Sequence, residues 1–391
     1  MPGGETMTRL IYLDNNATTA LHPEVLEEML PFFREQFGNP SSIHWAGRRV
    51  KSAVEEAREQ VAALVGCDTS EVVFTSCATE ANNMAIKGVA AARHSRGNHI
   101  VTTTVEHPSV ITPCVFLEHQ GFQVTTLDVD SEGMLDLNAL EEAVGDNTIL
   151  ISAMYANNET GTIFPVREIG ELAARKGICF HCDAVQAAGK IPLEWKGSNI
   201  HLLALSAHKF QGPKGIGALI IRKGTKIFPL LHGGSQERSR RAGTENVAGI
   251  VGLGKACEVA ARTMAAESLR IGTLRDRLEQ GIIEKITAVR LNGHPLKRLP
   301  NTSNLSFLNV KSDSLLFNLD LAGIAASSGS ACSSGALKTS HVLKAMGVGS
   351  GSTVANIRFS LGPDNNEDDV ACLLEILPGI VQRLRDTSAS A

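Results

Sequence analysis

Leu202-Leu203-Ala204-Leu205-Ser206-Ala207-His208-Lys209-Phe210-Gln211-Gly212-Pro213-Lys214-Gly215-Ile216-Gly217-Ala218-Leu219-Ile220-Ile221 is the stretch on which the reading of this chain turns. Its two apolar runs, 202–205 and 216–221, are too short for helices and read as buried strands. Between them stand Ser206, His208 and Lys209, then a Gly/Pro-rich turn. A lysine at the end of an interior strand is costly unless its charge or its amine is used. A solvated hairpin lysine is the plainer reading of Lys209 alone. The serine, histidine and glycine turn around it suit instead a lysine that forms a Schiff base with pyridoxal phosphate. Such a cofactor needs a phosphate cradle, an acid for its pyridine nitrogen and a group over its ring.

Outward from that stretch, strand and helix patterns alternate, which favours a mostly parallel sheet covered on both faces. Leu10 to Leu13 reads as a short strand, followed by the polar loop Asp14-Asn15-Asn16-Ala17-Thr18-Thr19. Val50, Ala53, Val54, Ala57, Val61, Leu64 and Val65 mark one face of a helix that Gly66 ends. Strand Val72-Val73-Phe74 leads into Thr75-Ser76-Cys77-Ala78-Thr79-Glu80, with a helical pattern from Ala81. Free N–H groups at that helix start form an anion site to which Thr79 adds a hydroxyl, although an ordinary N-cap explains the same residues. The next strand, 100–104, brings His107 to its end, where an imidazole could lie against a ring and move protons, or simply bond within its loop. Strand 148–154 leads into Asn157-Asn158-Glu159-Thr160-Gly161, a turn whose amides either bind a ligand or only shape the loop.

Cys179 and Cys182 have metal-like spacing, but strand residues three apart point to opposite faces, so no metal site is expected. Asp183, at the end of the same strand, could keep a pyridine nitrogen protonated; a helix N-cap is the alternative. The apolar periodicity from Val247 to Ile286 links a large domain to a smaller one. The residues from Arg385 to Ala391 read as a frayed end.

With 391 residues, 43% hydrophobic and 20% charged, the chain can bury a large core, and a folded protein of two domains is expected rather than a disordered one. A net charge of −4 gives no reason to expect a nucleic-acid partner. No apolar run approaches the roughly 20 residues of a membrane span. Met1-Pro2-Gly3-Gly4-Glu5-Thr6 lacks signal-peptide features, and eight scattered cysteines suit reduced thiols, so a cytoplasmic enzyme without a membrane partner is expected.

The segments Thr75–Asn83, Val105–Ser109, Asn157–Gly161, His181–Gln186 and Ser206–Lys209 occur in the order found in fold-type I pyridoxal-phosphate enzymes. Together with Tyr12–Thr19 and Ile357–Gly362, they resemble the group I cysteine desulfurases of the NifS and IscS type, within the class-V aminotransferases. The resemblance implies an α/β fold: a large domain (15–262) with a mostly parallel seven-stranded sheet covered by helices, and a smaller α+β domain (1–14 and 263–391). It implies that Lys209 carries pyridoxal phosphate, His107 stacks on the ring, Asp183 meets the pyridine nitrogen and Gln186 the ring hydroxyl. Ala78, Thr79, Ser206 and His208 would hold the phosphate, Asn158 would lie near cofactor and substrate, and Arg358 would clamp the substrate carboxylate. Arg241-Ala242-Gly243-Thr244 resembles the segment that brings a threonine to the other subunit's phosphate, which implies a homodimer. Cys77 departs from the glycine of many relatives.

Ala326-Ser327-Ser328-Gly329-Ser330-Ala331-Cys332-Ser333-Ser334-Gly335 resembles the group I nucleophile loop, here taken as about residues 326–337. By that resemblance Cys332 takes sulfur from L-cysteine as a persulfide, leaving alanine, and passes it to an acceptor or iron–sulfur scaffold protein. Cys67, Cys77, Cys114, Cys179, Cys182, Cys257 and Cys372 read as structural or incidental. Two other readings stay open: a different pyridoxal-phosphate reaction, such as an aminotransferase or selenocysteine lyase, and an idle docking protein with the same fold.

Overall fold

Seven short strands form one sheet in the order Val72–Thr75, Gly217–Ile221, Leu202–Ser206, Cys179–Asp183, Thr148–Ser152, His99–Thr103, Gln123–Leu127. The computed structural model describes residues 9–328, 340–348 and 354–389. Only Gly217–Ile221 runs against its neighbours; the other pairings are parallel. The stretch 202–221 supplies that antiparallel pair, with Leu202 opposite Ile221 and Ser206 opposite Gly217. Every residue of both strands is buried, which is why each reads as an unbroken apolar run rather than an alternation.

Side chains alternate between the two faces of this sheet. Leu203, Leu205, Ala218 and Ile220 pack into one core, and Leu202, Ala204, Leu219 and Ile221 into another on the opposite face. Cys182 and Cys179 divide in the same way, so their sulfurs diverge as the strand geometry requires. Burial holds both thiols far above the ordinary range, Cys179 at about 12, which leaves them protonated and inert.

A third core lies around a three-stranded antiparallel sheet ordered Val354–Ser360, Thr302–Leu308, Val289–Asn292. Ile11 and Leu13 join it from the start of the chain. The region from Val247 onward is one 39-residue helix, Val247–Lys285, that reaches both parts. Its Ile250, Leu253, Ala256 and Ala260 pack with the large sheet, and its Ile271, Leu274, Leu278 and Ile282 with the small one. A single helix of this length spans about 58 Å, so no flexible linker intervenes along this connection. Val342, Leu343, Met346 and Val348 return to the large-sheet core.

Two local expectations change. The helix expected from Ala81 begins at Ala78, because Glu80 folds back to accept the Ser76 N–H at 2.8 Å and closes the first turn early. The end of the chain does not fray at Arg385: helix Glu367–Ala389 continues through it, and its guanidinium donates to the carbonyls of Leu308 and Thr287 at 3.1 and 2.9 Å.

Strain is stored at Glu237, Arg238 and Ser239, three successive non-glycine residues with φ of 46°, 57° and 63°. The Glu237 carboxylate offsets it by accepting two bonds from Arg58, at 2.8 and 2.9 Å, and one from the Phe74 N–H at 2.9 Å. Both charged groups are buried, so removing one strands the other in a medium that solvates it poorly. Glu237→Ala is expected to lower unfolding free energy by about 3–5 kcal/mol in urea titration. A loss below about 1 kcal/mol would show that the pair does not anchor this segment.

Candidate active site

A cavity of about 250 Å³ opens at the carboxyl ends of the parallel strands, where open α/β sheets place their ligands. His107 follows strand His99–Thr103, Asp183 ends Cys179–Asp183, and Lys209 follows Leu202–Ser206. Arg358 enters from the small sheet, on strand Val354–Ser360. Every residue expected at the site, apart from Thr244 and Cys332, lines this cavity. Thr244 is exposed outside it, and Cys332 lies outside the described residues.

Lys209 stands at the end of a 3-10 turn, Ala207–Lys209. Its Nζ donates to the main-chain oxygens of Asn16 and Ala17 at 2.6 and 2.8 Å. The loop carrying those oxygens is bound to the lysine turn: Thr19 N and Oγ1 donate to His208 O at 2.9 and 3.0 Å, and Gln211 N donates to Thr19 Oγ1 at 2.7 Å. Burial, then the nearby charges of Lys209, Lys214 and Lys190, hold the His208 imidazole down at about 4. It is therefore neutral at physiological pH and keeps one N–H to donate.

The start of helix Ala78–Arg93 forms the opposite wall. Cys77, its N-cap residue, makes no side-chain capping bond, so the first N–H groups stay open toward the cavity. Ala78, Thr79, Ser206 and His208 surround that end. Uncapped amides, a hydroxyl and the positive end of the helix dipole are the donor set for a phosphate dianion.

Asp183 closes the third side. Its Oδ2 accepts from Asn82 Nδ2 at 2.7 Å and its Oδ1 from the Val185 N–H at 3.0 Å. Asn82 connects several groups: Nδ2 also donates to Ser109 Oγ at 2.9 Å, and Oδ1 lies 3.1 Å from His181 Nε2. Burial depresses His181 to about 4, so its ring is neutral, donating from Nε2 and accepting from Ser152 Oγ at Nδ1. The Ser109 N–H and Oγ reach His107 Nδ1 at 3.1 and 2.7 Å. With Nδ1 accepting, the proton of neutral His107 sits on Nε2. Burial, with the Lys209 charge, also lowers the basicity of His107, against an opposing pull from Asp183.

Sequence reading missed Asn82, Asn16 and Lys190. Asn82 had a signal: it lies four residues after Ala78 and three before Ala85 on the buried face of its helix, and a polar residue on that face needs partners. Arg358 NH2 pairs with Asp14 Oδ1 at 2.6 Å and NH1 donates to Asn158 O at 2.9 Å. Its Nε is buried without a partner among the described residues. Asn157, not Asn158, shapes the polar turn, its Oδ1 accepting the N–H groups of Glu159 and Thr160.

Glu106, beside His107, is fully buried. Oε1 accepts from Met154 N and Thr103 Oγ1, both at 2.9 Å, while Oε2 has no partner among the described residues. Burial, with the Asp183 charge behind it, raises this carboxyl to about 8. A carboxyl raised on folding binds more protons in the native state, so stability must fall as pH rises from the ordinary carboxyl range to about 8. The slope approaches about 1.4 kcal/mol per pH unit for this one group. Urea unfolding of Glu106→Gln between pH 5.5 and 8.5 should lack that component, and an unchanged pH dependence would mean that Glu106 is ionised in the native protein.

Three comparisons place this geometry. The family model described as aminotransferase class-V matches residues 11–373. A "Cysteine desulfurase IscS" of Dictyoglomus turgidum is 51% identical, over 98% of this chain and 97% of its own. Among solved structures, a "NIFS-LIKE PROTEIN" is 40% identical with a TM-score of 0.91, covering 96% of this chain and 100% of its own. A structure of "SspA in complex with cysteine" is 36% identical with a TM-score of 0.80, over 90% of this chain and 99% of that one. From end to end of its cores, then, the chain belongs to the class-V aminotransferase family, in its cysteine desulfurase group.

Proposed function

We propose that this chain takes sulfur from L-cysteine, using pyridoxal phosphate, and holds it as a persulfide on Cys332 while alanine is released. The observation that carries the reading is one cavity in which a lysine amine, an uncapped helix start, a buried carboxylate and an arginine fork converge. Those residues fit the cofactor: Lys209 would hold its carbonyl carbon, the Ala78–Thr79 amides with Ser206 and His208 its phosphate, and Asp183 its ring nitrogen. When bound, the cofactor supplies an electron sink for the substrate carbon.

The chain's own groups do the rest. Arg358 Nε, a buried donor with no partner among the described residues, would be satisfied by the substrate carboxylate, while Asp14 and Asn158 O keep the fork in place. Lys209 Nζ takes the proton from the substrate α-carbon, and His107, protonated on Nε2, lies within the same cavity to return protons. The Cys332 thiolate attacks the substrate sulfur. An S–S bond forms as the C–S bond breaks, the bonding electrons stay on the substrate carbon, and that carbon takes a proton to give alanine.

Thr244 supports a homodimer. Arg241, three residues before it, is held by Glu80 at the start of helix Ala78–Arg93, at 2.8 and 3.2 Å, yet Thr244 is exposed and does not line the cavity. A second subunit's phosphate is the group it would meet. A large domain of residues 15–262 and a small one of 1–14 and 263–391 is supported by the two sheets and their cores, except that residues 342–348 pack back onto the large-sheet core. No helix among the described residues is long and apolar enough to cross a membrane, and a cytoplasmic location with a sulfur-accepting protein as partner completes the reading.

Cys332→Ser tests it. The variant should keep its bound cofactor and its visible spectral response to L-cysteine, since neither needs the thiol, but should form no alanine and no persulfide. Sulfide and alanine production at the wild-type rate would remove Cys332 as the nucleophile.

A further inference from the structure

Lys190 is a second lysine beside Lys209, and the reaction above gives it no task. It stands in the turn after strand Cys179–Asp183, four residues beyond Gln186, so the two side chains share a face of one helical turn closed by Lys190 N to Ala187 O at 3.0 Å. Gly189 makes that placement possible. Its φ is 72°, and a Cβ there would come within 2.5 Å of Phe210 Cβ. The turn is thereby pressed against the residue that follows Lys209.

Lys190 Nζ donates to Gln186 Oε1 at 2.7 Å and to Asn16 Oδ1 at 3.1 Å. These partners are neutral amides, and no carboxylate among the described residues pairs with Lys190. Burial, with the like charges of Lys209 and Arg358, pushes its amine well below the usual lysine range. An amine buried beside two like charges, with no carboxylate partner among the described residues, calls for a reason other than ion pairing.

The reason lies in the carboxamide it holds. The Asn16 main-chain oxygen can only accept, so Gln186 must turn its Nε2 toward Asn16 and its oxygen toward Lys190, whose Nζ donates to it. One Nε2–H then meets Asn16 O at 3.0 Å, and the opposite flip would set donor against donor at Lys190 and acceptor against acceptor at Asn16. The second Nε2–H is left for the cavity, which Gln186 lines.

We propose that Lys190 is a positioning residue, fixing the Gln186 carboxamide so that it offers an N–H, and not its carbonyl, to the oxygen on the cofactor ring. The inference rests on the placement of pyridoxal phosphate given under Proposed function. A donor at that oxygen stabilises its anion, and a stabilised anion does less to hold a proton on the neighbouring Schiff-base nitrogen. The pH midpoint of the holoprotein's visible absorption therefore reports the contact without any turnover.

Four variants of the holoprotein separate the possibilities. Gln186→Ala and Lys190→Met should each raise the midpoint, by about one pH unit. The double variant should rise no further than the larger single shift, because both remove one contact. Lys190→Gln, which restores an N–H donor without the charge, should return the midpoint most of the way to wild type; it also carries the test should Lys190→Met fail to retain cofactor. A normal midpoint in Lys190→Met, additive shifts, or a Lys190→Gln value as displaced as that of Gln186→Ala would each overturn the positioning role. An unmoved midpoint in Gln186→Ala would instead remove the ring contact itself, and the inference would fall with it.

Discussion

The main-chain oxygen of Asn16 is the contact on which the site depends. It accepts from Lys209 Nζ at 2.6 Å and from Gln186 Nε2 at 3.0 Å. The same residue's side chain accepts from Lys190 and from Asn301, and donates to Asn158 O and Thr302 Oγ1. One asparagine, almost wholly buried, thus joins the lysine turn of the large sheet to the strand starting at Thr302 in the small one. An amide can serve so many neighbours because it both donates and accepts without bringing a charge into the interior. A carboxylate in its place would draw the lysine amine into an ion pair and blunt it.

Neutrality recurs around the cavity. His181 and His208 are held down at about 4 and Glu106 up at about 8, each first by burial. Asp183 and Arg358 differ in kind: each is held by named hydrogen-bond partners, Asn82 and the Val185 N–H for one, Asp14 and Asn158 O for the other. The network from Ser152 through His181 and Asn82 to Asp183 and Ser109 then fixes direction rather than charge: each donor has one acceptor to point at.

The sheet was legible because its central strands are buried on both faces, so 202–205 and 216–221 carry uninterrupted apolar runs, with chemistry-bearing residues following the first. The long helix Val247–Lys285 was legible as periodicity spanning two cores. Lys209, His107 and Asp183 could be found from position alone, each at or just past the end of a strand, whereas Arg358 and Gln186 needed the family resemblance. Lys190 could not be found, since only the left-handed Gly189 and its contact with Phe210 bring it next to Lys209. Asn16 was quoted as loop, because a main-chain carbonyl leaves no trace in a side-chain pattern. The helix start slipped by three residues because Glu80 closes the first turn from inside it, a bond that local propensity does not encode. Thr244 stays outside the cavity and is exposed, so nothing in the strand pattern could have pointed to it.

The central claim is that Lys209, and neither of its neighbours Lys190 and Lys214, carries the cofactor. Borohydride reduction of the holoprotein, followed by digestion and mass spectrometry, reads this directly by leaving a stable pyridoxyl group on the lysine that held it. The account predicts that the group is found on the peptide containing Lys209 and on no other. A pyridoxyl group on Lys190 or Lys214, with Lys209 unmodified, would contradict it.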